Sequence, residues 1–384
     1  MAIAIVAVFS PLLYSGLFRP STPPKFAGTA VALPSAALSQ LPSISGTFIS
    51  DDESDAVMVH SSTMAEQRDG SIRAVWFQGS REGGRDVSLY TSVLSPGSSK
   101  WSTPRELIDR ETASVEIGRR LKALGNPVLF SAGSGRTWLF FVTVSFFGWS
   151  GGTINYKYSD DSGQTWSAAK RLNISPAPHS GTLVRGTPFE YEDGSIGLPI
   201  YRSYDQFSYA ELVRLDPDGD VLSRVTMSNG ERGGLQPSVV AVDGENAVAF
   251  LRYHGVDPKR VLRVTTSDAG RSWTSPAKLE LPNPDSALAS LRLSDGSLIM
   301  AFNNSTQVRN AMSLAVSGDL GSTWKIVHTF DADDVDGSMG VRDERSYPSL
   351  LRTRSGDIHM LYTWDRRKIR HVIMNEAWVH SLND

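Results

Sequence analysis

The sequence contains no cysteine. That excludes disulfides, thiolate nucleophiles and cysteine metal sites, although it leaves the compartment open. It also lacks a charge imbalance: 38 Lys and Arg face 41 Asp and Glu, for a net charge of -3. No basic tract or acidic tail is present, so the electrostatic footprint of a nucleic-acid partner is missing and none is expected. A small anionic ligand is still compatible, because a local arginine cluster can sit inside a neutral protein. A membrane-spanning run is lacking too. The apolar start MAIAIVAVFSPLLYSGLF is interrupted by Pro11 and has no charge before Arg19, whereas a spanning helix needs about 20 apolar residues. Its length suits an export signal or a short membrane anchor over residues 1–19. A Pro-, Ala- and Ser-rich stretch, 20–45, follows and reads as a linker.

Repetition is what the sequence does have. SDDSGQTWS (159–167) is echoed by TSDAGRSW (266–273) and SGDLGSTW (317–324). All three fit [S/T]-x-D-x-G-x-[S/T]-W. Trp166, Trp273 and Trp324 stand 107 and 51 residues apart, so one degenerate copy is expected in the longer gap. A decayed copy, SVLSPGSSKWSTP, keeps Trp101 without the aspartate.

Turn dipeptides mark the same period at Asp69-Gly70, Ser134-Gly135, Asp193-Gly194, Asp243-Gly244, Asp295-Gly296 and Ser355-Gly356. The runs that flank them, such as TWLFFVTV and SLIMAFN, are rich in β-branched and aromatic residues, which is a hairpin signature. Units of roughly 50 residues with several short strands each suit a propeller better than a sandwich. The expected fold is therefore an all-β, six-bladed β-propeller over residues 46–384. The last unit is too short for four strands. SGTFISD, before the first unit, is expected to supply the missing strand, and closure of this kind leaves no open sheet edge. A monomer without cofactor or metal is the expectation.

Within each repeat the aspartate can accept backbone N–H groups of its own turn. The glycine permits positive φ, and the tryptophan covers the turn. An EF-hand would need twelve residues ending in glutamate, and one active site does not need three copies. The repeat is thus read as a folding device between the third and fourth strands of a blade.

These repeats resemble the Asp boxes, or BNR repeats, of the sialidase superfamily. The rest of the chain resembles its bacterial predicted-neuraminidase branch over roughly residues 46–380, through VHSSTMAEQRDGSIRAVWFQGSREGGRDVSLY, LGNPVLF, TLVRGTPFEYEDGSIGLPIY, LQPSVV, NPDSA, SYPSLL and YTWDRRKIRHV. The resemblance implies a terminal, usually acidic, sugar bound at one mouth of the channel. The early Arg-Ile-Pro motif of sialidases has no counterpart; Phe18-Arg19-Pro20 lies in the leader.

Residues at the ends of innermost strands and in their loops converge on a propeller's axis. The candidates of this kind are His60, Arg81, Glu82, Asp86, Asn126, Arg185, Tyr201, Gln236, Arg252, Asp285, Arg309, Tyr347, Arg366 and Arg367. Arginines suit a carboxylate through their two-pronged geometry, and the resemblance places Arg252 and Arg309 in such a role. It also makes Tyr347 the expected nucleophile, with Glu344 or Glu82 as its helper. Asp86, Glu82 and His60 are the expected proton donors. Three functions follow. The first is an exported exo-acting glycoside hydrolase of sialidase type, acting on an acidic glycan. The second is a lyase or glycosidase working beside a uronic acid through His60 and a tyrosine. The third is a glycan-binding propeller without catalysis.

Overall fold

The computed structural model describes residues 24–28, 37, 40–49, 58–174, 181–204, 207–228, 233–255, 257–330 and 344–382. The signal or anchor expected over 1–19 lies outside them. The described strands form six separate antiparallel sheets, so the molecule is a six-bladed β-propeller.

Blade I runs through Met58–Glu66, Ile72–Gly79, Ser88–Leu94 and Arg105–Ile108. Blade II runs through Ala123–Ser131, Thr137–Val144, Gly152–Ser159 and Lys170–Arg171. In blade III the inner strand is broken into Thr182–Val184 and Phe189–Glu190; both pieces pair with Ile196–Tyr204, which is followed by Phe207–Leu215 and Val221–Thr226. Blade IV comprises Gly234–Ala241, Ala247–Tyr253, Arg260–Thr266 and Ala277–Pro282. Blade V comprises Ala289–Arg292, Leu298–Asn303, Met312–Ser317 and Lys325–Phe330. Blade VI has Arg345–Arg352, Ile358–Trp364 and Lys368–Met374, and takes its outer strand, Ile44–Phe48, from the start of the propeller.

That borrowed strand closes the ring as expected. Ile44 pairs with Met374 and Phe48 with Arg370. Asn375 clamps the junction, accepting from Ser43 N at 3.1 Å and donating to Leu41 O at 2.8 Å. It also caps the short helix Glu376–Ser381. The stretch 108–124 holds a helix, Arg110–Ile117, and no blade.

Middle strands read as continuous apolar runs because both blade faces are covered. All eight residues of Thr137–Val144 and all six of Leu298–Asn303 are buried. The core falls into six clusters, one between each pair of neighbouring blades, and the last joins Met64 and Trp76 of blade I to Leu361 and Ile369 of blade VI. Apolar burial therefore closes the circle as well as hydrogen bonds do.

The repeated motifs lie between third and fourth strands. Asp161 accepts from Thr165 N at 2.9 Å and Ser159 Oγ at 2.7 Å, and Gly163 has φ 78. Asp268 and Asp319 repeat these contacts. The degenerate copy in blade III is the Asp216–Asp220 turn, where Asp216 accepts from Asp218 N and Asp220 N.

One stretch read as linker is more than that. Phe26 is 2% exposed, stacks on Tyr191 at 5.3 Å and packs in the core between blades III and IV. Backbone bonds from Phe26 N to Gly244 O and from Ala27 N to Glu190 O hold it there. A single aromatic in a polar, proline-rich stretch gave no periodic signal.

Candidate functional site

An inner strand runs from one mouth of the channel to its hairpin turn, and the second strand returns. The starts of inner strands, the ends of second strands and the loops after them therefore share one face. At that face the inner strands break register. The shift falls between His60 and Thr63, Gly125 and Val128, Leu235 and Ser238, and Ser346 and Ser349. Ser61, Asn126, Gln236, Asp285 and Tyr347 have φ of 58, 47, 49, 58 and 56. A bulge re-aims the side chain it carries, and left-handed backbone is costly for a bulky residue such as tyrosine. In blade III the break falls at Arg185-Gly186, where a β-carbon on Gly186 would meet Pro237 O of the next blade at 2.0 Å. Each blade thus offers one displaced residue to the axis.

Tyr347 is the centre of the cluster. Its hydroxyl accepts from Arg252 Nη1 at 3.1 Å, and the Arg309 guanidinium lies 5.9 Å from its ring. Arg252 also binds Asp285 (2.6 Å) and Gln236 (3.2 Å). Arg309 reaches the Asp285 carbonyl and stands 3.7 Å from Glu344. Arg366 joins Glu344 and Glu82, the latter at 2.9 Å. Arg309 and Arg366 share the Glu344 carboxylate, while Arg252 pairs with Asp285, and Arg252 and Arg309 flank Tyr347.

The electrostatics follow from this crowd. Burial would raise the Tyr347 phenol, but Arg252 and Arg309 outweigh it and hold the phenol below its ordinary value. His60 packs against Tyr347 with ring centroids 4.3 Å apart. Burial first, then Arg366, Arg309, Arg185 and Arg252, hold its imidazole well below the usual histidine value, so it is neutral. Its Nδ1 meets Thr363 Oγ1 at 3.0 Å, while its buried Nε2 has no partner among the described residues. Glu344 and Asp285 are pulled toward the ionised form: burial opposes this, but their hydrogen bonds to Arg366 and Arg252 dominate.

The other candidates take different places. Arg185 crosses the channel and donates to the carbonyls of Ser62 (3.1 Å), Tyr347 (2.8 Å) and Pro348 (3.0 Å). Burial pulls its guanidinium down to about 10. It forms a floor beneath Tyr347. Asn126 and Gln236 both donate to the buried Tyr201 hydroxyl at 3.3 Å. Burial pushes that phenol up, away from ionisation. Asp86 is exposed and accepts from Ser80 N and Ser80 Oγ at 2.7 and 2.9 Å, as a turn-holder does. Arg81 shares that loop and is exposed, and so is Arg367. Among the described residues no carboxylate hydrogen-bonds the Tyr347 hydroxyl, and Glu344 and Glu82 meet Arg366 instead.

Sequence reading missed His254, whose Nδ1 lies 3.0 Å from Asp285, and Thr363. A usable signal existed for the bulges. They stand nine residues before the hairpin glycine in four blades, eight in blade IV and eleven in blade V, and Pro127, Pro237 and Pro348 follow three of them.

No curated protein matches the sequence. Among solved structures, the Hadza microbial sialidase Hz136 superposes with a TM-score of 0.68 at 18% identity, covering 86% of this chain and 68% of that one. An intramolecular trans-sialidase from Ruminococcus gnavus gives 0.61 at 14% identity, over 83% of this chain and 95% of that one. An α-L-arabinanase from Penicillium chrysogenum gives 0.61 at 12%, over 88% and 99%. At such identities the likeness shows the fold alone, and the arabinanase shows that the fold carries more than one chemistry. The family model described as "BNR repeat-like domain" matches residues 70–360, and the chain belongs to that family.

Proposed function

We propose that the chain is an exo-acting glycoside hydrolase that removes a terminal acidic sugar from a glycan. The observation that carries this reading is the gathering of Arg252, Arg309 and Arg366 around Tyr347 and His60. A sugar carboxylate entering the mouth meets the Arg252 and Arg309 guanidinium groups, whose charge lowers the Tyr347 phenol. Guanidinium forks bind such a group through paired, charge-assisted hydrogen bonds.

Tyr347 gives up its proton to water and attacks the anomeric carbon as a phenolate. The bond to the leaving oxygen breaks as that oxygen takes a proton from Glu82, whose side chain is 35% exposed at the mouth and first takes that proton from water, releasing Arg366. Water later displaces the sugar from Tyr347. The phenol owes its acidity to Arg252 and Arg309 rather than to an adjacent carboxylate.

One observation favours a second reading. The unpartnered Nε2 of His60 beside Tyr347 suits elimination next to a uronic acid. There His60 would take the proton α to the carboxylate and Tyr347 would give one to the leaving oxygen.

A panel of acidic glycans, with products weighed by mass spectrometry, separates the readings. Hydrolysis adds the mass of water, while elimination does not and yields an ultraviolet-absorbing product. Binding without any turnover would favour a non-catalytic lectin role. Full activity in Tyr347→Phe would remove the tyrosine from the mechanism. The reading goes with export or N-terminal anchoring, which cell fractionation checks.

A further inference from the structure

The loops between second and third strands of blades I, IV, V and VI bring Glu82, His254, Arg309 and Arg366 to the mouth. The equivalent loop of blade II, residues 145–151, brings Phe146 and Phe147 instead, 70% and 90% exposed. Among the phenylalanine, tyrosine and tryptophan side chains whose burial the structure describes, no others are exposed. Scattered exposed apolar residues are ordinary, but two adjacent phenylalanines at a loop tip beside a binding site are not. Phe147 has φ 56, a conformation disfavoured for a bulky residue.

The loop is also anchored. Phe147 caps the 3-10 turn Gly148–Gly151, and Trp149 within that turn packs on the core between blades II and III, a cluster that includes Tyr201. The Trp149 ring covers Gly125 so closely that a β-carbon there would lie 3.0 Å from it. Gly125 precedes the displaced Asn126, and the same β-carbon would lie 3.7 Å from Phe77. Phe77 in turn packs edge-on to His60 at 5.6 Å. The exposed pair is thus joined to the wall of the site through the half-buried Trp149 ring and the buried Phe77 ring.

We propose that Phe146 and Phe147 form the subsite for the neutral sugar to which the terminal acidic sugar is attached. This rests on the function proposed above and names the leaving-group side of that site. The occupant follows from the distribution of charge. The arginines come from blades IV, V and VI, and in a six-membered ring blade II lies opposite blade V. An acidic sugar held by the arginines leaves the opposite, apolar side of the mouth for the sugar linked to it. A hexose ring presents a face of C–H groups that stacks on an aromatic ring while its hydroxyls stay hydrated.

The test uses the lactose conjugates and the methyl glycosides of sialic acid and of glucuronic acid, with the full chain and a Phe146→Ser/Phe147→Ser double variant. Both substituted side chains are exposed, so the fold is retained. Saturation-transfer NMR reads each sugar separately. In the wild type, saturation reaches the acidic sugar and the adjacent hexose. In the double variant the hexose signals vanish and the acidic-sugar signals remain. Affinity for the conjugate then falls about tenfold, to that of the methyl glycoside. Phe147→Tyr keeps the hexose signals. Hexose signals that persist in the double variant, or equal wild-type affinity for conjugate and methyl glycoside, would overturn the subsite and leave the proposed function standing. Absence of transfer to any acidic-sugar proton in the wild type would overturn the proposed function, and the subsite with it.

Discussion

The two faces of this propeller are built by opposite rules. On the face of the repeated turns, Asp161 finds its partners two and four residues away, and Asp268 and Asp319 find theirs at the same spacings. At the mouth, Arg252 binds residues 16, 33 and 95 positions away, Arg185 reaches across 123 and 162, and Arg366 meets Glu82 across 284. One face repeats a local solution in successive blades. The other puts a different residue at the equivalent position of every blade: Ser61, Asn126, Arg185, Gln236, Asp285 and Tyr347. Repetition serves the fold, and departure from it builds the site.

Substitutions at the two faces should therefore separate activity from stability. The largest effect is expected for Tyr347→Phe: about 10⁴-fold loss of turnover on a cleaved acidic glycan, with an unchanged circular dichroism spectrum. Arg309→Lys keeps the charge but loses the fork. It should lower kcat/KM by about 10²-fold on acidic substrates while the melting temperature holds. Arg185→Met tests the floor. It strands three carbonyls, so a loss of roughly 2–4 kcal/mol in urea unfolding is expected alongside lower activity. A wild-type melting temperature in this variant would show that Arg185 is not a tie.

The pH dependence of stability comes next. Burial holds His60, His359 and His371 below the ordinary histidine value of about 6.5. His371 accepts from Trp101 Nε1 at 3.0 Å and contacts His359 at 2.9 Å. The unfolded chain takes up these protons where the folded one does not. Stability is therefore full above about pH 6.5 and falls as the pH drops below it, by up to about 1.4 kcal/mol per unit for each histidine. Urea midpoints between pH 7 and pH 5 check the sign. The smallest effect belongs to the repeated face: Asp268→Ala should lower the melting temperature slightly and leave kcat/KM unchanged. A large loss of activity there would break the contrast between the faces.

The repeats, hairpin glycines and apolar runs were legible because each depends on near neighbours. They sufficed for six blades and for the borrowed strand Ile44–Phe48. Tyr347, Arg252 and Arg309 could be named through motif and position. The roles of Arg185, Asp86, His254 and Thr363 could not, since a side chain's partner is chosen by which strands lie beside it. Phe26 was hidden for the same reason, as a lone aromatic whose cavity is built by blades III and IV. The sequence by itself determined the period and the turn chemistry, because hydrogen bonds within a turn and apolar runs depend on near neighbours, and a last unit one strand short followed from that period. Only the tertiary structure decided which charges meet. Ring closure brings blade VI against blade I, and that contact sets Arg366 on Glu82 and His60 against Tyr347.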